Sequence, residues 1–279
     1  MLSYRHGFHA GNHADVLKHF VLTQVLRHAA LKEKPYSYID THAGAGMYAL
    51  DHGFAAQNAE FNSGIARLWE ATDLPAALAE YVALVKACNK NGALRHYPGS
   101  PVVAQRLLRS QDRMRLFELH PNDFKPLQQQ MSSRQIIVEQ ADGFNGIKAL
   151  LPPPSRRAIT LIDPPYEDKQ DYRRVVQMLR DSLQRFATGT YMVWYPLLQR
   201  QEPAMLTHQL SALPVDSWLH VSLSVHAPSA DGFGMHGSGM FVINPPWTLP
   251  AVLEDVMPVL VQHLGQDDAA SFSLDSRIP

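Results

Sequence analysis

The sequence predicts an α/β protein built on an open, doubly wound and mostly parallel sheet with a late antiparallel pair. Three observations carry that expectation. The short apolar strand Tyr36–Asp40 opens directly into the turn Thr41-His42-Ala43-Gly44-Ala45-Gly46. Glu118, Asp142 and Asp163 follow three later strand-like runs, and a flexible segment rich in Gly and Ser joins the last two runs, Trp218–Val225 and Gly239–Asn244.

In chain order, Val16, Leu17, Phe20, Val21, Leu22, Val25 and Leu26 recur with a helical period, so residues 14–30 read as a helix, with Asp15 near its start. The first strand and its glycine turn come next. In a doubly wound sheet an acidic residue is expected about 20 residues later, yet Glu118, closing Met114–Phe117, comes far later. The surplus carries helical stripes, Ile65, Leu68 and Trp69, then Leu78, Tyr81, Val82, Leu84 and Val85, and is read as a small helical insertion after the first strand. The division is therefore 1–52 (amino-terminal segment and first half of the main domain), 53–95 (insertion) and 96–279 (the remainder).

Tyr97-Pro-Gly-Ser-Pro101 is a turn that hands over to a helix over Val102–Leu108. Strands follow at Met114–Phe117, Gln135–Glu139, Ala158–Ile162 and Thr190–Trp194, and the final pair brings the total to seven. The tail after about Gln266 carries no signal and is expected to be poorly ordered.

Composition bounds the function. The chain has 279 residues, 46% hydrophobic and 18% charged, which is ordinary for a globular protein of one large domain or a domain with an insertion. No run approaches the roughly 20 apolar residues needed to span a bilayer, and the start lacks a hydrophobic signal core, so a cytoplasmic location is expected. Cys88 is the only cysteine, which excludes an internal disulfide and a thiolate metal cluster. A net charge of −1 argues against one broad basic face for long nucleic acid. Local clusters remain, at Arg106, Arg109, Arg113 and Arg115, at Arg156 and Arg157, and at Lys169, Arg173 and Arg174; each reads first as a solvated helix face.

The most informative feature is Asp163-Pro164-Pro165-Tyr166 at the end of Ala158–Ile162. The prolines lack an amide hydrogen and fix the backbone, so a carbonyl can point into a cleft while an aromatic ring lies flat against a base. An exocyclic amine such as adenine N6 is a poor nucleophile because its lone pair is delocalised. If the Asp163 carboxylate and the Pro164 carbonyl each accept one N–H bond, the nitrogen can become tetrahedral, with Tyr166 stacked on the base. Position and charge then supply most of the rate, without a covalent intermediate and without a metal. Read alone, the same residues can end a strand and cap the next helix.

The cofactor half rests on placement. Carboxyl ends of parallel strands form one rim where ligands bind. There Glu118 would accept ribose hydroxyls, Asp142 would meet an adenine amine with the Gly143 amide beside it, and Gly44 and Gly46 would pass beneath a methionine moiety. Asn244-Pro-Pro-Trp247 has the same form as the Asp163 motif, but it ends the seventh strand, far from the glycine turn. Near the amino terminus Tyr4, His6, Phe8, His9, His13, Lys18 and His19 crowd together. His9 and His13 lack an acid or cysteine at a known ligand spacing, so no metal is expected. A mobile aromatic and basic segment that folds over cofactor and nucleic acid fits better, with His6 and Lys18 on the substrate side.

Taken with the opening Met1-Leu-Ser-Tyr-Arg-His6, with Phe8–His19, Asp40–Gly46, Tyr97–Pro101, Glu118-Leu-His-Pro121, Ala141-Asp-Gly-Phe144, Leu161–Tyr166 and Asn244–Trp247, the chain resembles, over essentially its full length, the bacterial 23S ribosomal RNA (adenine-2030-N6) methyltransferases. The resemblance implies a Rossmann-like class I methyltransferase fold and S-adenosylmethionine as cofactor. It also implies a cofactor pocket from His19, His42, Ser100, Glu118, Asp142, Gly143 and Asp163, with Asp163 also catalytic and Tyr4 where the target base enters. The implied partner is 23S rRNA before full subunit assembly; no exposed heptad or apolar helix in the sequence asks for a protein partner, so a monomer with no membrane contact is expected. DNA adenine methylation, protein glutamine methylation and a non-catalytic RNA-binding module on the same fold stay open, because they share the tetrapeptide logic or the fold.

Overall fold

A computed structural model describes residues 6–51 and 53–278. Its centre is a sheet formed by β1 (Ser37–Asp40), β4 (Arg113–Phe117), β5 (Ile136–Glu139), β6 (Ala158–Ile162), β7 (Thr190–Leu197), β8 (Trp218–Ser224), β9 (Gly237–Ile243) and β10 (Ser271–Arg277). The spatial order is β10-β8-β9-β7-β6-β1-β4-β5. Strands β5, β4, β1, β6 and β7 run parallel, and β9 lies antiparallel between β7 and β8. β6 is buried at every position, as a central parallel strand covered on both faces should be.

Two strand pairings depart from the sequence reading. The sheet has eight strands rather than seven, because the tail expected to be poorly ordered forms β10 and pairs antiparallel with β8, from Ser271↔Ser224 to Arg277↔Trp218. It escaped notice because six of its seven residues are exposed. Backbone bonding holds such an edge strand without the apolar alternation that betrays other strands, and the paired Ser222 and Ser273 hydroxyls, 2.6 Å apart, add to it. The second departure is a small ribbon, β2 (Met47–Ala49) with β3 (His96–Pro98), which clasps the two ends of the intervening segment. Between them lie helices Gly53–Asn58, Ile65–Trp69 and Ala76–Lys86.

Helix α1 (His13–Ala30) is buried around most of its circumference, including Phe20, Leu22 and Val25, as expected for a helix covered on all sides. It packs on β7 and β9, on helix Ser100–Leu107, on helix Ala76–Lys86 and on the final helix Leu249–Leu264. Each fully buried Leu, Val or Phe contributes about 1.5–3 kcal/mol. Asn12 starts the helix, its side-chain oxygen accepting from Ala14 N and Asp15 N at 3.0 Å each. Burial of the first turn brings Asp15, Lys18 and His19 inside the protein. The register then sets the rim: Asp40 pairs with Leu116 on one side and Leu161 on the other, so Glu118 and Asp163, each two residues further on, emerge beside the glycine turn.

Candidate active site

Two hollows open at this rim. The larger, about 480 Å³, is lined by Lys18, His19, His42, Gly44, Ser100, Glu118, Asp142, Gly143 and Asp163. The smaller, about 220 Å³, lies between Lys18, Asp163, Pro165, Tyr166, Trp194 and Met235. Lys18, Asp163, Pro165 and Glu167 border both, so the two spaces adjoin along these residues.

The larger hollow is shaped by backbone approach. Gly44 (φ +64°) and Gly46 (φ +85°) take left-handed conformations that side chains disfavour. The Gly44 N–H donates to Glu118 Oε2 at 2.8 Å and the His120 N–H to Oε1 at 2.7 Å. Burial pushes the Glu118 carboxyl up to about 7, with these two bonds opposing the shift. Across the hollow, Asp142 caps a short helix by accepting from Phe144 N at 2.9 Å and forms a close ion pair with Arg174. A Cβ on Gly143 would fall 2.0 Å from the Thr41 carbonyl oxygen, so only glycine lets this turn lie against the extension of β1.

His42 sits edge-on to Phe144, with ring centroids 4.8 Å apart, and burial pushes its imidazole down to about 3, leaving a neutral ring at neutral pH. Ser100 donates to Asp40 Oδ2 at 2.7 Å and Tyr38 donates to the same oxygen at 2.8 Å. Burial raises the Asp40 carboxyl to about 6. The His19 Nδ1 lies 2.8 Å from the Tyr97 hydroxyl, which in turn meets Tyr81.

At the junction, Lys18 Nζ lies 2.6 Å from Asp163 Oδ2 and 2.9 Å from Asp15 Oδ1. Burial alone would lower the lysine, but the two carboxylates outweigh it and hold the ammonium above its ordinary value. The same ammonium sits 5.5 Å from the centre of the Trp194 ring. Tyr166 adopts φ +54°, an unusual conformation for a non-glycine residue. The residue is 4% exposed, its hydroxyl donates to the Trp194 carbonyl at 2.7 Å, and it forms part of the wall of the smaller hollow. Pro164 is buried, and Pro165 is the proline that borders both spaces.

Tyr4 lies outside the described residues, as does the side chain of His6. His9 Nδ1 lies 3.0 Å from both oxygens of the Glu60 carboxylate, and Asn12 Nδ2 donates to Glu60 at 2.9 Å, which ties the amino-terminal turn to the helical segment. Among the described residues no three His, Cys, Asp or Glu side chains converge as metal ligands. Asn244, the rival motif position, turns its amide into the fold, donating to Ala187 O and Gly189 O at 2.7 Å each.

Sequence reasoning passed over Asp15, Asp40, Arg174 and Trp194 as site residues. Asp15 and Lys18 have an i,i+3 spacing that a solvated helix face shares, and only burial marks them apart. Arg174 sits in a basic cluster but belongs to Asp142 and lies 4.2 Å from the centre of the Phe144 ring. Other clustered arginines are also engaged: Arg109 binds Asp112 and the carbonyls of Ala30 and Lys32, and Arg157 binds those of Ala29 and Lys34.

Comparison with known proteins agrees with this architecture. The chain is 49% identical over 265 residues to "Ribosomal RNA large subunit methyltransferase J" of Escherichia coli (strain K12), covering 95% of this chain and 94% of the other. It is 46% identical over 277 residues to the protein of the same name in Haemophilus influenzae, covering 99% and 98%. A crystal structure of a protein from Legionella pneumophila superposes with a TM-score of 0.89 at 34% identity, over 96% of this chain and 98% of that one. A family model described as "Ribosomal RNA large subunit methyltransferase D, RlmJ" matches residues 33–276, and with these relatives it shows that the chain belongs to that methyltransferase family.

Proposed function

We propose that this enzyme methylates the N6 amine of an adenine in 23S rRNA, adenine 2030 by resemblance, with S-adenosylmethionine as donor. The observation that carries the reading is the adjacency of two hollows along a border that includes Asp163. A donor and an acceptor placed on either side of it would approach head to tail.

The larger hollow fits the cofactor by its donor set and its shape. Glu118 offers carboxylate lone pairs for ribose hydroxyls, the Asp142–Gly143 turn faces the same space, and the glycine turn leaves room where a Cβ on Gly44 would crowd Tyr48. When bound, S-adenosylmethionine supplies a methyl group on a sulfonium, which needs no metal to be transferred. The protein's part is to bind, orient and exclude water. In the smaller hollow the amine meets Asp163 Oδ1, with Oδ2 held by Lys18, and the base ring lies along the wall that contains Tyr166 and Trp194. The Pro164 carbonyl is assigned the second N–H, and Tyr4 and His6 the closing side of the base. Because Lys18 already occupies Asp163 as a donor, the carboxylate serves as a hydrogen-bond acceptor that favours the developing ammonium.

A monomer is taken as the working unit. No described helix is long and apolar enough to cross a membrane, and a ribosomal RNA substrate places the reaction in the cytoplasm. The helical segment between β2 and β3 and the remaining exposed basic residues are assigned to RNA backbone or shape. The test is transfer of labelled methyl groups to protein-free 23S rRNA, to DNA and to protein. Incorporation into rRNA at an adenine, lost with Asp163→Ala, supports the reading; labelling of DNA or protein instead, or full activity of Asp163→Ala, overturns it.

A further inference from the structure

A stacked adenine cannot reach a recessed carboxylate unless it leaves its helix, and extrusion leaves a gap in the RNA stack. Resting on the function proposed above, we infer that Phe233 enters that gap and holds the RNA open while the target base occupies the smaller hollow. Phe233 lies on the segment joining β8 to β9. Gly237 at the start of β9 pairs with Leu197 at the end of β7, so the segment stands on the same rim as Asp163. Met235, two residues from Phe233, lines the smaller hollow, and so does Leu198 just past β7.

Phe233 is 74% exposed. An exposed aromatic is common, but this one is presented by a built turn. Gly232 (φ +77°) and Gly234 (φ +88°) flank it in left-handed conformations. Gln199 Nε2 donates to Ser229 O at 2.6 Å, and Gly232 N to the same carbonyl at 3.0 Å. Asp231 Oδ1 accepts from Ser229 Oγ at 2.7 Å and from Phe233 N at 3.0 Å. The tip is thereby tied to the residues that follow β7, beside the hollow's mouth. The acidic Asp231, bonded to the Phe233 backbone N–H, disfavours a phosphate contact there and leaves the ring, which suits a nucleobase, as the binding element.

Two other exposed aromatics lack this placement. Trp247 follows β9 at the opposite rim, where Ile243 pairs with Tyr191 at the start of β7, and Phe272 lies on the edge strand β10. Insertion of an apolar side chain between bases is an established way to stabilise an unstacked step. The ring acts on the RNA around the target, so Phe233 is a positioning residue.

The experiment compares Phe233→Ala, Phe233→Leu and the unsubstituted enzyme on two RNAs of the same sequence around the target. One holds the adenine in a base-paired stem, and the other is the same strand without its complement. Expected for Phe233→Ala is a loss in kcat/KM of about tenfold to a hundredfold on the paired RNA, the range that base stacking supplies. Activity on the unpaired strand stays close to that of the unsubstituted enzyme, and Phe233→Leu recovers part of the loss. With 2-aminopurine at the target position, Phe233→Ala also shows a smaller rise in fluorescence on binding the paired RNA. Equal loss on both RNAs, loss on the unpaired strand alone, or no loss on either overturns the inference. The unpaired strand reports separately on methyl transfer itself, so failure of the wedge and failure of the proposed function give different results.

Discussion

Lys18 and Asp163 are 145 positions apart in sequence and 2.6 Å apart in space, and with Asp15 they form a buried cluster of two carboxylates around one ammonium. The carboxylate proposed as catalytic is therefore held by the first helix as much as by its own strand.

Replacing Lys18 with Met removes the cation that lies between the Asp15 and Asp163 carboxylates. Breaking one side of a buried ion pair costs about 3–5 kcal/mol, so urea denaturation should show a loss of this order, with methyl transfer to rRNA strongly reduced in the fraction that stays folded. Unchanged stability would mean that water already screens the cluster.

With the Glu118 carboxyl raised by burial to about 7, its proposed place in the cofactor pocket predicts a pH-dependent cofactor affinity. The folded value lies above the ordinary 4.5, so the native state holds the proton more tightly; stability from this group is greatest at low pH and declines as pH rises from about 4.5 to 7. Ribose hydroxyls favour the ionised acceptor. Calorimetric binding of S-adenosylhomocysteine should therefore weaken as pH falls below about 7. Glu118→Gln should bind more weakly and lose most of this slope; an unchanged slope would assign it to another group, with Asp40 next in line.

Gly143→Ala puts a methyl group 2.0 Å from the Thr41 carbonyl, which is backbone and cannot rotate away. Overpacking of this kind costs typically about 1–3 kcal/mol. Thermal melting should fall accordingly, and the shift of the Asp142 turn should reduce cofactor binding beyond what the stability loss explains. A variant with normal melting and normal binding would show that the turn can move freely.

Asn244→Ala tests the division between two similar motifs. It removes donors to Ala187 O and Gly189 O and places alanine at φ +51°. A lost hydrogen bond costs about 0.5–1.5 kcal/mol net, and the bond to Ala187 is exposed while that to Gly189 is part-buried, so stability should drop modestly while kcat per folded molecule stays unchanged. A selective loss of kcat at full stability would bring Asn244 into the chemistry.

His9 gives a second pH signature. Its hydrogen bond to Glu60 raises the imidazole above 6.5 despite burial, so the stabilisation is present below the unfolded value and is lost as pH rises through the folded one. Glu60→Gln should therefore reduce stability more at pH 6 than at pH 8 in paired denaturation curves. An equal effect at both pH values would show that the imidazole charge contributes nothing.

The strand order of events, the glycine turn and the acids at Glu118, Asp142 and Asp163 were legible because local sequence encodes them. An apolar strand followed by a tight turn announces a carboxyl end, and in a parallel sheet those ends share a rim. Strand β10 and the β2–β3 ribbon were not legible, since edge and ribbon strands are held by backbone bonds that any residue can make.

Residue types and their placement along the chain thus determined the α/β class, the rim and the carboxylate at its centre. Only the tertiary structure decided that Lys18, itself paired with Asp15, holds that carboxylate, that Tyr166 is fixed in the wall by its hydroxyl, and that two hollows share one border. The physical reason is burial. Whether a charged side chain is a solvated surface group or half of an ion pair depends on what the rest of the chain packs around it, and no local pattern records that.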